Sequence, residues 1–211
     1  MMKLTPELVL RAYCAGAFPM ASSRTGRVDW YSPDPRAVLP LGDDGFHVSR
    51  SLKRIVRQQR FAMTHDRAFE AVIAGCAAPR PDSDETWINH DIINTYIALH
   101  RDGWAHSIEA WSATDDTASL NDVGGPGWQL AGGLYGLAIG GAFFAESKFT
   151  RQRDASKVCL VHLVEHLRHR GFTLLDVQFN NPHITQFGVV ELPRDTYLRQ
   201  LAEALPQQVQ W

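Results

Sequence analysis

The chain has 211 residues, 45% of them apolar and 21% charged, with a formal net charge of −2. That suffices for one large domain, or one domain with a small lobe, and it excludes a protein that coats nucleic acid with its whole surface. A local basic face remains open, and no run approaches the ~20 apolar residues of a membrane-spanning helix.

MMKLTPELVLRAYC carries Glu7 and Arg11 and lacks the apolar core of a signal peptide, so a cytoplasmic chain is expected. Thr5 can cap a helix there, Pro6 suits its first turn, and Leu8, Val9 and Ala12 make its apolar stripe. DWYSPDPRAVLPL predicts a strand and turn, and its three prolines are expected to keep it out of the centre of a sheet. From Ser49 to Arg60 a helix is predicted with Leu52, Ile55 and Val56 on one side and Arg50, Lys53, Arg54, Arg57 and Arg60 opposite. Five cations with no acid on one face repel each other unless an anion compensates them. That points to a polyanion; a solvated surface helix is the alternative.

FAMTHDR then reads as a strand, AFEAVIAGCA and DIINTYIALH as helices, and AHSIEAW as an alternating strand. Residues 112–128 are expected to form a mobile, patternless polar loop. LAGGLYGLAIGGAFFAESKF predicts a hairpin turning at Gly140-Gly141, with Tyr135 facing Glu146, Leu137 facing Phe144 and Gly133 facing Lys148. Asp154 is expected to cap a helix through Leu167 that stops at Gly171. Asp195 is expected to cap a last helix carrying Leu198, Leu201, Ala202 and Leu205. The fold class is therefore mixed α/β (α+β) with a mostly antiparallel sheet. A small N-terminal lobe with the basic helix is expected over 1–60 and the main domain over 61–211.

The stretch LLDVQFNN, Leu174 to Asn181, poses the chemical question. It reads as a buried strand, and strand alternation turns Asp176 and Gln178 to the same side. A structural hydrogen-bond network is one explanation. Glu146 on a neighbouring strand, beside Phe143 and Phe144, suggests another: two carboxylates and an amide near apolar walls orient an amine and shift proton affinities. Ser147 and Ser156 lack a nucleophile elbow, so acyl transfer here would proceed by direct amine attack on an activated ester. Lys148, Arg151, Arg153 and Lys157 form a second basic group, consistent with a phosphodiester partner. His162, His166 and His169 share a helix without an HExxH motif, and Cys14, Cys76 and Cys159 are scattered. No metal is expected. His183 and Trp87 are candidate neighbours of the site, Trp87 as an aromatic wall.

GAFPM, WYSPDPRAVLPL, FHVSRSLKR, ETWIN, HSIEAW, AGGLYGLAIGGAFFAESKF, LLDVQF and VVELPRDTY occur in that order from about Leu8 to Leu205. In this the chain resembles the leucyl/phenylalanyl-tRNA–protein transferases in their short form. The resemblance implies a GNAT-like acyltransferase domain without cofactor. It also implies transfer of Leu, Phe or Met from aminoacyl-tRNA to proteins beginning with Arg or Lys, marking them for N-end-rule degradation. It assigns Asp176, Gln178, Glu146 and Asn181 to catalysis and Trp87 to the terminal adenosine. It gives the pocket for the transferred side chain to Leu134, Phe143 and neighbouring apolar groups, Tyr135 and Phe144 among them; Ser147 and His183 are further candidates for substrate binding, and the basic residues Arg50, Lys53, Arg54, Arg57, Arg60, Lys148, Arg151 and Lys157 are the candidates for tRNA. The chain departs from the family in Met20 after FP, where a second Trp is frequent, and in HITQFG, where HLASLG is usual. The rival readings are an RNA-binding module without catalysis and an acetyl-CoA N-acetyltransferase. The second needs a QxxGxG/A loop, whereas the glycines here lie in a hairpin. A monomer is expected.

Overall fold

The computed structural model describes residues 4–42, 45–79 and 86–211. Its framework is a sheet of seven strands in the order β4-β5-β6-β7-β8-β3-β9, with a separate two-stranded ribbon of β1 and β2. In chain order the strands are β1 (Phe18–Ala21), β2 (Val28–Tyr31), β3 (Arg36–Leu39), β4 (Ala62–His65), β5 (Ala105–Ala113), β6 (Trp128–Ile139), β7 (Ala142–Thr150), β8 (Leu174–Gln178) and β9 (Val190–Leu192). The helices are α1 (Pro6–Cys14), α2 (Arg50–Arg57), α3 (Phe69–Ala77), α4 (His90–Arg101), α5 (Ala155–Arg170), α6 (Pro182–Thr185) and α7 (Arg194–Ala204). Among the described residues only β7 and β8 pair in parallel; the other neighbouring pairs are antiparallel.

Helices cover both faces. One apolar cluster joins Val9 and Tyr13 of α1, Val72 and Ile73 of α3, Ile92 and Tyr96 of α4, and Tyr197 and Leu201 of α7 to Tyr135, Leu137 and Phe144 of the sheet. The other joins Leu52 of α2 and the buried side of α5 to Leu39, Ile108, Leu134, Phe143 and Leu175. Side chains that alternate along β6 and β7 are thus divided between two dry layers. Local chemistry fixes the helix starts. Thr5 Oγ1 accepts from the Leu8 N–H at 3.2 Å with Pro6 in the first turn, and Asn89 Oδ1 accepts from the Ile92 N–H at 3.0 Å.

Several expectations are corrected. The prolines of DWYSPDPRAVLPL do not push it to an edge: Pro33, Pro35 and Pro40 flank β3, which lies between β8 and β9 and keeps its own N–H groups for the ladder. Among the described residues β3 belongs to the large sheet and β1 and β2 form a ribbon apart from it. Asp154 precedes α5 in a left-handed conformation (φ 70°) and makes no side-chain cap, its carboxylate pairing with Lys157 at 3.2 Å instead. Asp195 lies inside α7, behind an N-cap at Pro193, and the helix buries Tyr197, Leu201 and Ala204 while Ala202 is exposed. The 112–128 loop is not patternless: it holds a 3-10 turn at Leu120–Asp122, Arg67 pairs with Asp122, and Trp128 Nε1 donates to the Ser119 carbonyl at 3.0 Å.

The hairpin turns at Gly140-Gly141 as expected, and Leu137 faces Phe144. Beyond that the register slips. Gly136 faces Ala145 but Tyr135 faces Ser147, so Glu146 is the extra residue of a β-bulge. Before the bulge, Ala142 and Phe144 face the α1/α4 layer; after it, Phe149 packs there. The parity of β7 changes at the one residue that carries a carboxylate.

Candidate active site

The bulge turns Glu146 into the layer between α1 and α4. Tyr13 Oη donates to Glu146 Oε1 at 2.6 Å and Tyr96 Oη to Oε2 at 3.1 Å, and the two hydroxyls lie 2.7 Å apart. Gln178 Nε2 donates to Oε1 at 3.1 Å. Glu146 keeps some solvent exposure, yet burial of its carboxylate raises its pKa from 4.5 to about 7. The two phenols favour the charged form and the negative Asp176 opposes it, Arg36 partly offsetting that effect. Tyr13 and Tyr96 are themselves pushed well above the ordinary phenol range, first by burial and then by the Glu146 charge. They remain donors. Tyr135 packs edge-on against Tyr96, with ring centroids 5.5 Å apart, and its buried hydroxyl has no partner among the described residues.

Asp176 has a different environment. It is fully buried, and its oxygens accept from Arg36 Nε at 3.0 Å, Arg36 Nη2 at 2.7 Å, Tyr197 Oη at 2.7 Å and the Gln178 N–H at 2.8 Å. Arg36, 1% exposed, also donates Nη1 to the Gly16 carbonyl at 3.1 Å and lies between the rings of Phe18 and Tyr197, 4.6 and 4.7 Å from their centroids. Gln178 is the last residue of β8 and adopts φ 59°, unusual for a side chain with a Cβ. Strand alternation therefore explains only part of the Asp176–Gln178 pairing; the left-handed residue turns the amide toward Glu146.

Tyr135, Phe144 and Ser147 belong to the Glu146 side of the hairpin by packing or register. Leu134 and Phe143 do not: both are buried in the α5 layer, where the Phe143 and Trp211 rings stack with centroids 5.1 Å apart. Asn181 is exposed and caps α6, its Oδ1 accepting from the N–H groups of His183 and Ile184, and His183 points no polar group into the network. Trp87 packs on the α1/α4 layer, its carbonyl accepting from Ala21 N–H at 3.0 Å beside Met20. Arg50, Lys53, Arg54, Arg57 and Arg60 are all exposed, and none forms an ion pair with a described residue. The second basic group is more engaged: Lys157 pairs with Asp154, and Arg151 covers the Phe149 ring and reaches the Leu130 carbonyl at 3.3 Å. His162 meets His65 at 2.8 Å and His166 packs under Trp211. Among the described residues no group of three or more His, Cys, Asp or Glu could hold a metal.

A cavity of about 590 Å³ lies elsewhere, lined by Ile55, Val56, Phe61, Met63, Val161 and His162 among others; Glu146, Asp176 and Gln178 do not reach it. The residues that sequence reasoning missed are Tyr13, Arg36, Tyr96 and Tyr197. The signal available for Arg36 was a charged residue opening an apolar run between two prolines.

The pattern of the leucyl/phenylalanyl-tRNA protein transferase family matches residues 38–202, and that of its N-terminal domain matches residues 2–34. The chain belongs to this family. A leucyl/phenylalanyl-tRNA–protein transferase of Gloeobacter violaceus is 50% identical over 202 residues, 96% of this chain and 94% of that protein. One from Rubrobacter xylanophilus is 51% identical over 204 residues, 97% of this chain and 96% of that protein. A crystal structure of FemX superposes with a TM-score of 0.56 at 13% identity, covering 93% of this chain and 71% of that one. That likeness concerns the fold alone, a mixed sheet covered by helices. As a leucyl/phenylalanyl-tRNA–protein transferase the chain is an enzyme that transfers an amino acid from charged tRNA to a protein N-terminus. Among the described residues no helix is long and apolar enough to cross a membrane.

Proposed function

We propose that this enzyme moves Leu, Phe or Met to cytoplasmic proteins beginning with Arg or Lys, as a monomer, and that its two carboxylates divide the work. Glu146 accepts the proton of the attacking α-amine. Asp176, whose lone pairs are occupied by Arg36, Tyr197 and the Gln178 N–H, holds the frame. The amine nitrogen bonds to the ester carbonyl carbon, the bond to the ribose oxygen of the tRNA breaks, and the proton held by Glu146 passes to that oxygen. Gln178, a very weak base, orients the amine. The apolar side chain of the donor is read by residues of the β6–β7 hairpin on the Glu146 side, Tyr135 and Phe144, while Leu134 and Phe143 back the hairpin from the α5 layer. Its burial favours Leu and Phe by roughly 1.5–3 kcal/mol. Trp87 serves the terminal adenosine, and Ser147, Asn181 and His183 flank the acceptor. The single observation that carries the reading is the contrast between a carboxylate pushed up to about 7 and a neighbour already saturated with donors.

The test is an incubation with Phe-tRNA, and separately with acetyl-CoA, each with a peptide beginning with Arg. Phenylalanyl peptide is the expected product. Acetyl peptide would point to an acetyltransferase, and tRNA binding without product to a binding module.

The basic face of α2, with Arg151 and Lys157, takes the tRNA backbone in this reading. Replacing both Arg54 and Arg57 with Ala should weaken tRNA binding and reduce the slope of log affinity against log salt by about 1.4–1.8, since each phosphate contact contributes roughly 0.7–0.9. An unchanged slope would remove α2 from the RNA interface.

A further inference from the structure

Arg36 lies in none of the residues expected to touch a substrate, yet its contacts run into the site in one continuous chain. Its guanidinium grips both oxygens of Asp176. Asp176 Oδ1, so held, accepts from the backbone N–H of Gln178 at 2.8 Å. The N–H that Asp176 holds belongs to a residue at φ 59°, a conformation disfavoured for anything but glycine, whose turn is closed by the Phe179 N–H on the Val177 carbonyl at 2.7 Å and whose Nε2 reaches Glu146 Oε1. The hydroxyl of Tyr197 fills the remaining place on Asp176. We propose that Arg36 is a positioning residue for the transfer: by fixing Asp176 against the Gln178 N–H it anchors the backbone where it enters the left-handed turn, and so holds the Gln178 amide on Glu146. The proposal rests on the reading of Glu146 and Gln178 as the transfer site.

Geometry makes Lys a poor substitute. A planar guanidinium serves Asp176 through two nitrogens and the Gly16 carbonyl through a third, with its carbon 4.6 and 4.7 Å from the Phe18 and Tyr197 ring centroids; an ammonium supplies a point charge without that fork. Arg36→Lys should therefore keep the charge but loosen the carboxylate. Loss of alignment by about an ångström costs on the order of 10²-fold. We expect kcat to fall about that much while KM for Phe-tRNA stays within about threefold.

A general structural weakness could also lower kcat, so the deciding measurement is a double-mutant cycle on kcat with Arg36→Lys, Gln178→Ala and the pair. If Arg36 acts through Gln178, adding Arg36→Lys to Gln178→Ala costs less than about threefold. If the two losses multiply, the proposal is wrong. Should Arg36→Lys fail to fold by circular dichroism, Tyr197→Phe removes a single donor from Asp176 and enters the same cycle with the same criterion. A native chain that makes no phenylalanyl peptide would instead sink the functional reading itself, and this inference with it.

Discussion

A Glu146→Gln variant should bind charged tRNA as the native enzyme does and turn over about 10²–10⁴-fold more slowly, the usual contribution of a positioned general base. Gln keeps the shape, its amide oxygen accepting from Tyr13 while its NH2 donates to the Tyr96 oxygen, so the loss reports mainly proton transfer and not packing. The pH profile carries the sharper signature. With Glu146 as the proposed proton acceptor, the rate of the native enzyme should rise through about pH 7, where burial has moved that carboxylate. In the variant that limb should vanish, leaving only ionisation of the acceptor amine near pH 8. The stability effect has the opposite sign. A carboxylate whose folded pKa is raised above its ordinary 4.5 takes up its proton preferentially in the folded state, so its contribution is full below about 4.5 and fades as pH rises through about 7. Glu146→Gln should flatten that decline in thermal midpoint. A variant retaining both the rate and the limb near 7 would remove Glu146 from the chemistry.

The second large effect concerns folding. Asp176→Ala leaves Arg36, 1% exposed, without its carboxylate, and removes the acceptor for Tyr197 and for the Gln178 N–H. An uncompensated buried charge costs about 3–5 kcal/mol, a drop in thermal midpoint of roughly 10 °C for a chain of this size. Turnover should collapse as well, but tRNA binding by the folded fraction should persist, because α2 lies on the other face of the sheet. Replacing both partners, Arg36 with Met and Asp176 with Leu, should recover part of the stability and none of the turnover, since apolar replacement of a buried pair is frequently near neutral. A thermal midpoint for Asp176→Ala within about 2 °C of native would contradict the buried network.

Much of this site was legible in the chain. Period-two alternation in LLDVQF marked Asp176 and Gln178 as misplaced for an apolar strand, and the glycine pair marked a hairpin that brought Glu146 into the sheet. The exposed cations of α2 followed from helical spacing alone. What escaped was long-range. Tyr13 and Glu146 are 133 residues apart and Arg36 and Asp176 are 140 apart, so no local periodicity relates them. The bulge escaped because Glu146 itself has no glycine or other conformational mark in the sequence, and one inserted residue changes every facing pair beyond it. The prolines misled for a definable reason: they bound a four-residue strand without entering it.

The contacts of Gly16 and Tyr13 have a consequence for cooperativity. Glu146 receives its shortest hydrogen bond from α1, and the guanidinium that clamps Asp176 rests on the carbonyl just beyond the same helix. Undocking of α1 as a whole would therefore strip Glu146 and Arg36 of these contacts before any strand of the large sheet is lost. Amide exchange in α1 and the loss of catalytic competence are then two views of one opening event.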